Sequence, residues 1–370
     1  MDLRFPPRYP AEMPSWFAVA TPGLEPVVCR ELDAMGISGE IVVGGVLFDA
    51  SLAEGARLSA RARTPSRVLL RVGQGSAKSL RALADLVRSV DWSGYLMAGA
   101  EIDVTVSTRG SRLSRRDVIA AKARNAIRDA TRGYKRQKPA RIRQRLQIRI
   151  DSDKATLSLD AGGELLHRRG WRQSSVKAPL RENLAAAMLM AAGWEGDEAL
   201  VDPFCGSGTL PIEAALLAAG RAPWSSRSFA WEEWPGLGGL RPERAGHGRP
   251  IAVPIIGSDK EPRAIQCSKE NADRARVAVK WSVGNVSAVE APAHLGLVAT
   301  NPPYGARLGQ RVRGVYHHFG RTLTERFEGW RAIFLAPNDR LACAVHPDVF
   351  RLTTFSNGGL RVGVFVIEQV

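Results

Sequence analysis

The 370-residue chain carries 52 Lys and Arg against 37 Asp and Glu, a formal charge of +15 at pH 7, and 45% of its residues are apolar. That length is too great for one core and points to two or three units. The four cysteines show no C-x-x-C spacing, the six histidines no ligand-like spacing, and no apolar stretch reaches a membrane span or a signal-peptide core. These features argue against structural zinc, a disulfide framework, export and membrane insertion; no metal is expected, and the cytosol is the expected compartment.

Residues 1–70 read as a small α+β unit, with a helix over Leu24–Met35 and a strand over Val42–Phe48. Residues 71–162 form a basic unit. It has a strand at Glu101–Ser107, a helix at Arg116–Thr131, and a strand at Ile142–Ile150 that turns through Asp151-Ser152-Asp153 into Ala155–Asp160. From Thr105 to Arg149 there are 15 Lys and Arg against 2 acids, the footprint of a phosphate backbone. Alternation puts Arg143, Arg145, Gln147 and Arg149 on one strand face and Ile142, Gln144, Leu146, Ile148 and Ile150 on the other. Arg115, Arg116, Arg136, Lys138, Arg143, Arg145 and Arg149 are the candidate RNA contacts. Residues 163–180 are a basic connector.

From 181 onward strands and helices alternate, the pattern of an open α/β sheet. Leu200-Val201-Asp202 leads into Pro203-Phe204-Cys205-Gly206-Ser207-Gly208-Thr209 and then an apolar helix pattern. Gly206 and Gly208 permit positive φ and close ligand approach, and the helix N-terminus favours an anion. Pro211 breaks the G-x-G-x-x-G dinucleotide fingerprint, so a nicotinamide oxidoreductase is disfavoured. An acid at the strand end followed by Gly-Ser-Gly suits S-adenosylmethionine. A second apolar strand, Ile251–Asp259, ends in a carboxylate placed to accept from ribose hydroxyls. A third, Val277–Val283, leads to Asn285, a candidate acceptor for the adenine amine. Between the first two strands, residues 220–250 are an insertion holding Trp224, Trp231 and Trp234, read as local packing rather than base stacking. Further strands are expected at Ala332–Leu335 and Arg361–Gln369, with a turn at Phe355–Gly359 before the last.

The strand Leu297–Thr300 ends in Asn301-Pro302-Pro303-Tyr304. This places a side-chain amide, a fixed backbone carbonyl and a flat ring in one mouth. The Asn301 side-chain oxygen and the Pro302 carbonyl can each accept an N–H of one exocyclic amine. Pro303 helps to stiffen the turn, and Tyr304 can stack on the base. Such a site needs no nucleophile. A base-carbon methyltransferase would need a cysteine close to this loop, and none stands between Cys267 and Cys343. The motif itself leaves guanine N2 and adenine N6 open.

With Asp202–Thr209, Asn301–Gly309, His167-Arg168-Arg169-Gly170-Trp171-Arg172, Ala178–Ala186 and the opening Phe17–Glu25, nearly the whole chain resembles the THUMP-domain RNA guanine-N2 methyltransferases, which act on bacterial large-subunit rRNA or on tRNA. It departs from their pattern at Trp171, where Tyr is usual, and at Asn285, where an acid is frequent. The resemblance implies a Rossmann-like class I methyltransferase sheet at 181–370, mostly parallel with an antiparallel last strand. Before it the resemblance implies a ferredoxin-like unit at 1–70 and a THUMP RNA-binding domain at 71–162. It implies guanine-N2 methylation of structured RNA, ribosomal more than transfer RNA, by a monomer. It adds Phe204, Cys205, Ser207, Thr209, Lys260, Val286, Pro179, Arg181 and Asn301 to Asp202, Gly206, Gly208, Asp259 and Asn285 around the cofactor. The alternatives are an adenine-N6 methyltransferase on RNA or DNA, and a catalytically silent RNA-binding assembly factor.

Overall fold

The structure is a computed structural model that describes residues 13–97, 100–134, 142–174, 179–224, 227–243, 248–304, 311–357 and 359–370. Arg136 and Lys138 lie outside them. The first half contains β1 (Ser15–Val19), α1 (Glu25–Ala34), β2 (Gly39–Val42), β3 (Gly45–Asp49), α2 (Leu52–Arg61) and β4 (Arg67–Ser76). After these come α3 (Leu80–Ser89), β5 (Ile102–Arg109), α4 (Arg116–Ala130), β6 (Gln144–Asp151) and β7 (Lys154–Asp160). Local chemistry sets several boundaries. Ser51 and Glu54 form a reciprocal capping box that starts α2. Gly44, at φ +86°, turns the chain where one strand over Val42–Phe48 was expected, so that segment is the hairpin β2–β3 instead.

The strands join in the order β2-β3-β1-β4-β7-β6-β5. The expected boundary at residue 70 falls inside β4, which pairs with β1 on one edge and β7 on the other. One face of this sheet buries Trp16, Phe48, Val68, Leu70, Leu146, Ile148, Ile150, Leu157 and Leu159 in one core with the four helices. The other face carries Arg145, Gln147 and Arg149, as the alternation predicts. Gln144 lies on the apolar face and is buried, with both ends of its amide bonded.

The second half contains α5 (Glu182–Ala191), β8 (Ala199–Asp202), α6 (Thr209–Ala218), β9 (Ile255–Asp259), α7 (Pro262–Ala275), β10 (Lys280–Val283) and β11 (Gly296–Thr300). It ends with α8 (Arg311–Arg326), β12 (Arg331–Ala336), α9 (Asp339–Cys343), β13 (Phe350–Asn357) and β14 (Leu360–Ile367). The sheet order is β10-β9-β8-β11-β12-β14-β13. The first five strands run parallel and β14 runs antiparallel to β12, the expected Rossmann-like arrangement. Two expectations shift. β9 and β10 begin at Ile255 and Lys280, later than the apolar runs suggest, and Phe355–Asn357 belong to β13, with the turn only after them. Every residue of β8 and β11 is buried, because helices cover both faces of a parallel sheet.

The insertion between α6 and β9 packs into the other half. Trp224, Phe229, Trp231 and Trp234 are all buried within the first core, and Trp234 stacks on Trp16. Each indole N–H finds an acceptor there: Trp224 on the Ala60 carbonyl, Trp231 on Ser59 Oγ, Trp234 on Gln144 Oε1. Burying each ring is worth about 4–6 kcal/mol at most, from roughly 150–250 Å² of apolar area. Buried charge closes the same junction. Glu213 of α6 accepts from Arg169 Nε at 3.2 Å and faces Arg63 at 3.9 Å, while Glu31 accepts from the Arg63 and Thr64 backbone N–H groups.

Candidate active site

The carboxyl ends of the parallel strands gather the expected residues. Asp202 closes β8, Asp259 closes β9 and Asn301 follows β11, while Asn285 lies just beyond β10. In open α/β sheets this edge is where ligands bind. Gly206 and Gly208 both have positive φ, +56° and +83°, and Gly208 starts α6. A Cβ on Gly208 would stand 2.7 Å from the Trp281 ring, so the loop needs glycine for its backbone and for its neighbour.

The loop is pinned from several sides. Gly206 N–H donates to Asp259 Oδ2 at 3.0 Å, and Glu261 N–H donates to Asp259 Oδ1 at 2.9 Å. Ser268 Oγ donates to the Gly206 carbonyl, and Asn271 Nδ2 donates to the Ser207 carbonyl. Asn271 also accepts from the N–H groups of Gln173 and Ser174, tying the connector to the loop. Sequence reading missed Ser268 and Asn271. Their only signal is a polar residue on the buried face of α7. The Thr209 hydroxyl accepts from Arg172 at 2.8 Å. The hydroxyls of Ser207 and Ser258 are buried without hydrogen-bond partners among the described residues.

Asp202 is 2% exposed, and its Oδ1 accepts from Thr300 Oγ1 at 2.6 Å and from Phe204 N–H at 3.1 Å. Burial pushes its carboxyl up to about 7; the Thr300 and Phe204 hydrogen bonds pull it back, and Asp259 raises it. The folded protein therefore holds a proton here that the unfolded chain releases near pH 4. The stability this contributes is complete at low pH and is lost as pH rises through about 7. Asp202→Asn keeps the Oδ1 acceptor, so it should gain on the wild type between pH 5 and 7, by at most about 1.4 kcal/mol per pH unit. Urea titrations at three pH values would test this, and parallel pH profiles for both proteins would contradict it.

The Asn301 side-chain oxygen is buried and accepts no hydrogen bond among the described residues, while Pro302 is buried beside it and Pro303 is exposed. Tyr304 follows, half-buried, with its hydroxyl accepting from Asn357 Nδ2 at 2.7 Å, so the end of β13 orients its ring. Cys205 is buried in the glycine loop, and burial pushes its thiol well above the ordinary range, which keeps it protonated and a poor nucleophile. Phe204 packs edge-on against Phe319. Lys260 and Asn285 are exposed and Val286 half-buried beside the end of β9, where Gly284 N–H donates to the Asp259 carbonyl. Pro179 and Arg181 line a cavity shared with His167 and Arg172. Arg115, Arg116, Arg143, Arg145 and Arg149 lie in the other half, away from the strand ends.

Comparisons with known proteins match both halves of the chain. The RMKL-like methyltransferase domain matches residues 169–362, and the RlmL ferredoxin-like domain matches residues 15–69. The chain belongs to the RMKL-like methyltransferase family. It is 38% identical to "Ribosomal RNA large subunit methyltransferase K/L" of Methylococcus capsulatus over 95% of this chain and 51% of that protein, so it spans about half the length of such relatives. It is 31% identical to "Putative RNA methyltransferase slr0064" of Synechocystis over 93% of this chain and 94% of that one. Among solved structures, "SMU.472, a putative methyltransferase complexed with SAH" matches with a TM-score of 0.84 at 26% identity, covering 97% of this chain and 99% of that chain. A "predicted N6-adenine-specific DNA methylase" from Listeria monocytogenes matches with a TM-score of 0.82 at 26% identity, covering 95% and 96%. Among the described residues no helix is long and apolar enough to cross a membrane.

Proposed function

We propose that this chain is an S-adenosylmethionine-dependent methyltransferase acting on the exocyclic N2 amine of a guanine in structured RNA, ribosomal rather than transfer RNA. The observation that carries the reading is the Asn301 oxygen, a buried acceptor without a partner among the described residues, beside the Pro302 carbonyl. An acceptor pair of this kind suits one –NH₂ group. The amine is a poor nucleophile because its lone pair is delocalised into the ring. Asn301 and Pro302 draw its two N–H groups and aim the lone pair, and Tyr304 replaces the stacking lost when the base leaves its helix. This is catalysis by orientation and fixed dipoles.

The residues fit the cofactor. Gly206 and Gly208 leave bare backbone, Thr209 opens α6 with its N-terminal N–H groups, Ser207 offers a hydroxyl unused among the described residues, and Asp259 has lone pairs left for ribose hydroxyls. When bound it supplies an electrophilic methyl group. A positive charge bound near Asp202 and Asp259 would favour the ionised form of Asp202. Asp259→Ala should weaken the cofactor by about 10- to 100-fold, since each hydrogen bond to a charged group is worth about 1.5–3 kcal/mol. Unchanged calorimetric affinity would move the ribose contact elsewhere.

Residues 71–162 act in this reading as a THUMP-type RNA-binding region. The expected Arg face is less bare than its charge count suggests. Arg143 pairs with Glu101, Arg145 with Asp103 and Arg149 with Asp151, all at the surface. On α4, Arg116, Arg124 and Arg128 are exposed and make no ion pair among the described residues. Neutralising these three should flatten the salt dependence of RNA binding more than neutralising the strand triad, by about 0.7–0.9 in slope for each phosphate left without its cation. A filter-binding salt series compares them, and equal slopes for wild type and both triads would place the RNA elsewhere.

The direct test is methyl transfer from labelled S-adenosylmethionine to RNA, followed by nucleoside mass spectrometry. N2-methylguanosine supports the proposal. N6-methyladenosine supports the second reading, which the similarity to the Listeria protein favours. Cofactor binding without transfer to any RNA would sink the proposal, and without transfer to RNA or DNA it would sink both.

A further inference from the structure

A cavity of about 680 Å³ lies where the first sheet, the connector and the methyltransferase half meet. That is within the usual range of ligand pockets, about 300–1,000 Å³. None of the glycine-loop or Asn-Pro-Pro-Tyr residues is among its described lining residues. Among its described lining residues are five guanidiniums, from Arg168, Arg169, Arg172, Arg181 and Arg227, against two carboxylates, Glu164 and Glu182.

The charges are unevenly spent. Arg169 is paired with Glu213, Arg172 with Glu182 and Arg168 with Glu164. Arg227 pairs with no carboxylate among the described residues; its guanidinium donates to the carbonyls of Gly162, Glu164 and Leu165, which neutralise nothing. Arg181 is exposed and makes no ion pair among the described residues. The wall thus keeps positive charge directed into a partly buried space. His167 stands in that wall with its Nδ1 buried and without a hydrogen-bond partner among the described residues. Burial, then Arg181, Arg169, Arg168 and Arg172, hold its ring neutral down to about pH 4. A neutral imidazole has one N–H to donate. An unpaired cation, a second guanidinium held only at the surface and an unused ring nitrogen together match a small oxyanion, and arginine forks match phosphate oxygens in particular.

We propose that this cavity grips a phosphodiester group of the RNA backbone, with Arg168 and Arg181 as the charged contacts and His167 as a neutral donor. This rests on the RNA reading above. Arg172 lines the cavity and also donates to Thr209 at the first residue of α6, so one side chain separates this grip from the glycine loop. A phosphate held here fixes the strand beside the loop while the target base is out of its stack.

The test uses the full chain and a fluorescein-labelled RNA hairpin, with anisotropy read over a salt series. Arg168→Glu reverses an exposed charge and should not disturb folding. It should weaken the RNA about tenfold and lower the salt slope by about 0.7–0.9. His167→Gln should weaken it less. Both should leave the melting temperature and S-adenosylmethionine affinity unchanged. Wild-type affinity and slope in Arg168→Glu would overturn the proposal while leaving the RNA reading intact. Inorganic phosphate provides the other arm. If it binds the wild type, is lost in Arg168→Glu, and RNA binding is unaffected, the cavity is a free-anion site and the proposal fails. A wild type that binds no RNA at any salt overturns the RNA reading and this proposal together.

Discussion

Asn301→Ala should cut methyl transfer by about 10²–10³, the usual cost of losing one positioned polar group at a reacting centre, while cofactor affinity stays within about twofold. The side-chain oxygen has no structural partner among the described residues, so little else should change when it is removed. Single-turnover transfer to the RNA substrate, beside calorimetric titration of the cofactor, separates the two effects. Wild-type turnover would remove Asn301 from the chemistry. A matching loss of cofactor affinity would make it a cofactor ligand instead.

The second large effect is on stability. The Glu213 carboxylate is fully buried between Arg169 and Arg63, themselves buried. Its desolvation is offset mainly by those two cations, with a further attraction from Arg172. Glu213→Ala leaves both guanidiniums without their carboxylate, and breaking a buried pair from one side typically costs about 3–5 kcal/mol. Urea unfolding should show a midpoint lowered in proportion. Glu213→Gln keeps the shape and one acceptor and should cost less, so a measurable protein remains if the alanine variant does not fold. A midpoint within error of the wild type for both variants would mean that the network contributes nothing net.

The local signals were legible. An apolar run, an acid, two glycines and a second apolar run can fold in few ways other than strand, loop and helix, and β8, the loop and α6 follow it closely. The same holds for Asn301 after β11 and for the alternation of β6, where Gln144 stood out as a polar residue on an apolar face. What remained hidden was the partner across long sequence distance. Gln144 is explained by Trp234 and the Ala230 carbonyl, about 90 residues away. Tyr304 is oriented by Asn357, and the glycine loop is held by Asn271. Pairwise hydrogen bonds of this kind leave no periodicity. β13 escaped for a related reason. As an edge strand it buries only Phe355 and Asn357 and lacks an alternating apolar pattern. The hairpin β2–β3 was concealed by Val43, an apolar residue that is almost fully exposed at the turn.

The tryptophan-rich insertion has a consequence for how this protein can be taken apart. Its rings complete the core beneath the first sheet although they are encoded between α6 and β9. Cutting the chain anywhere in the connector would leave residues 1–162 with an open apolar hollow and residues 181–370 with several indoles in water. Neither fragment should be monomeric and well behaved. Anyone transplanting the basic half onto another catalytic domain must therefore carry two discontinuous stretches of sequence. Drift in either stretch is tolerable only if the other drifts with it, so the two halves are bound to share an evolutionary history as well as a core.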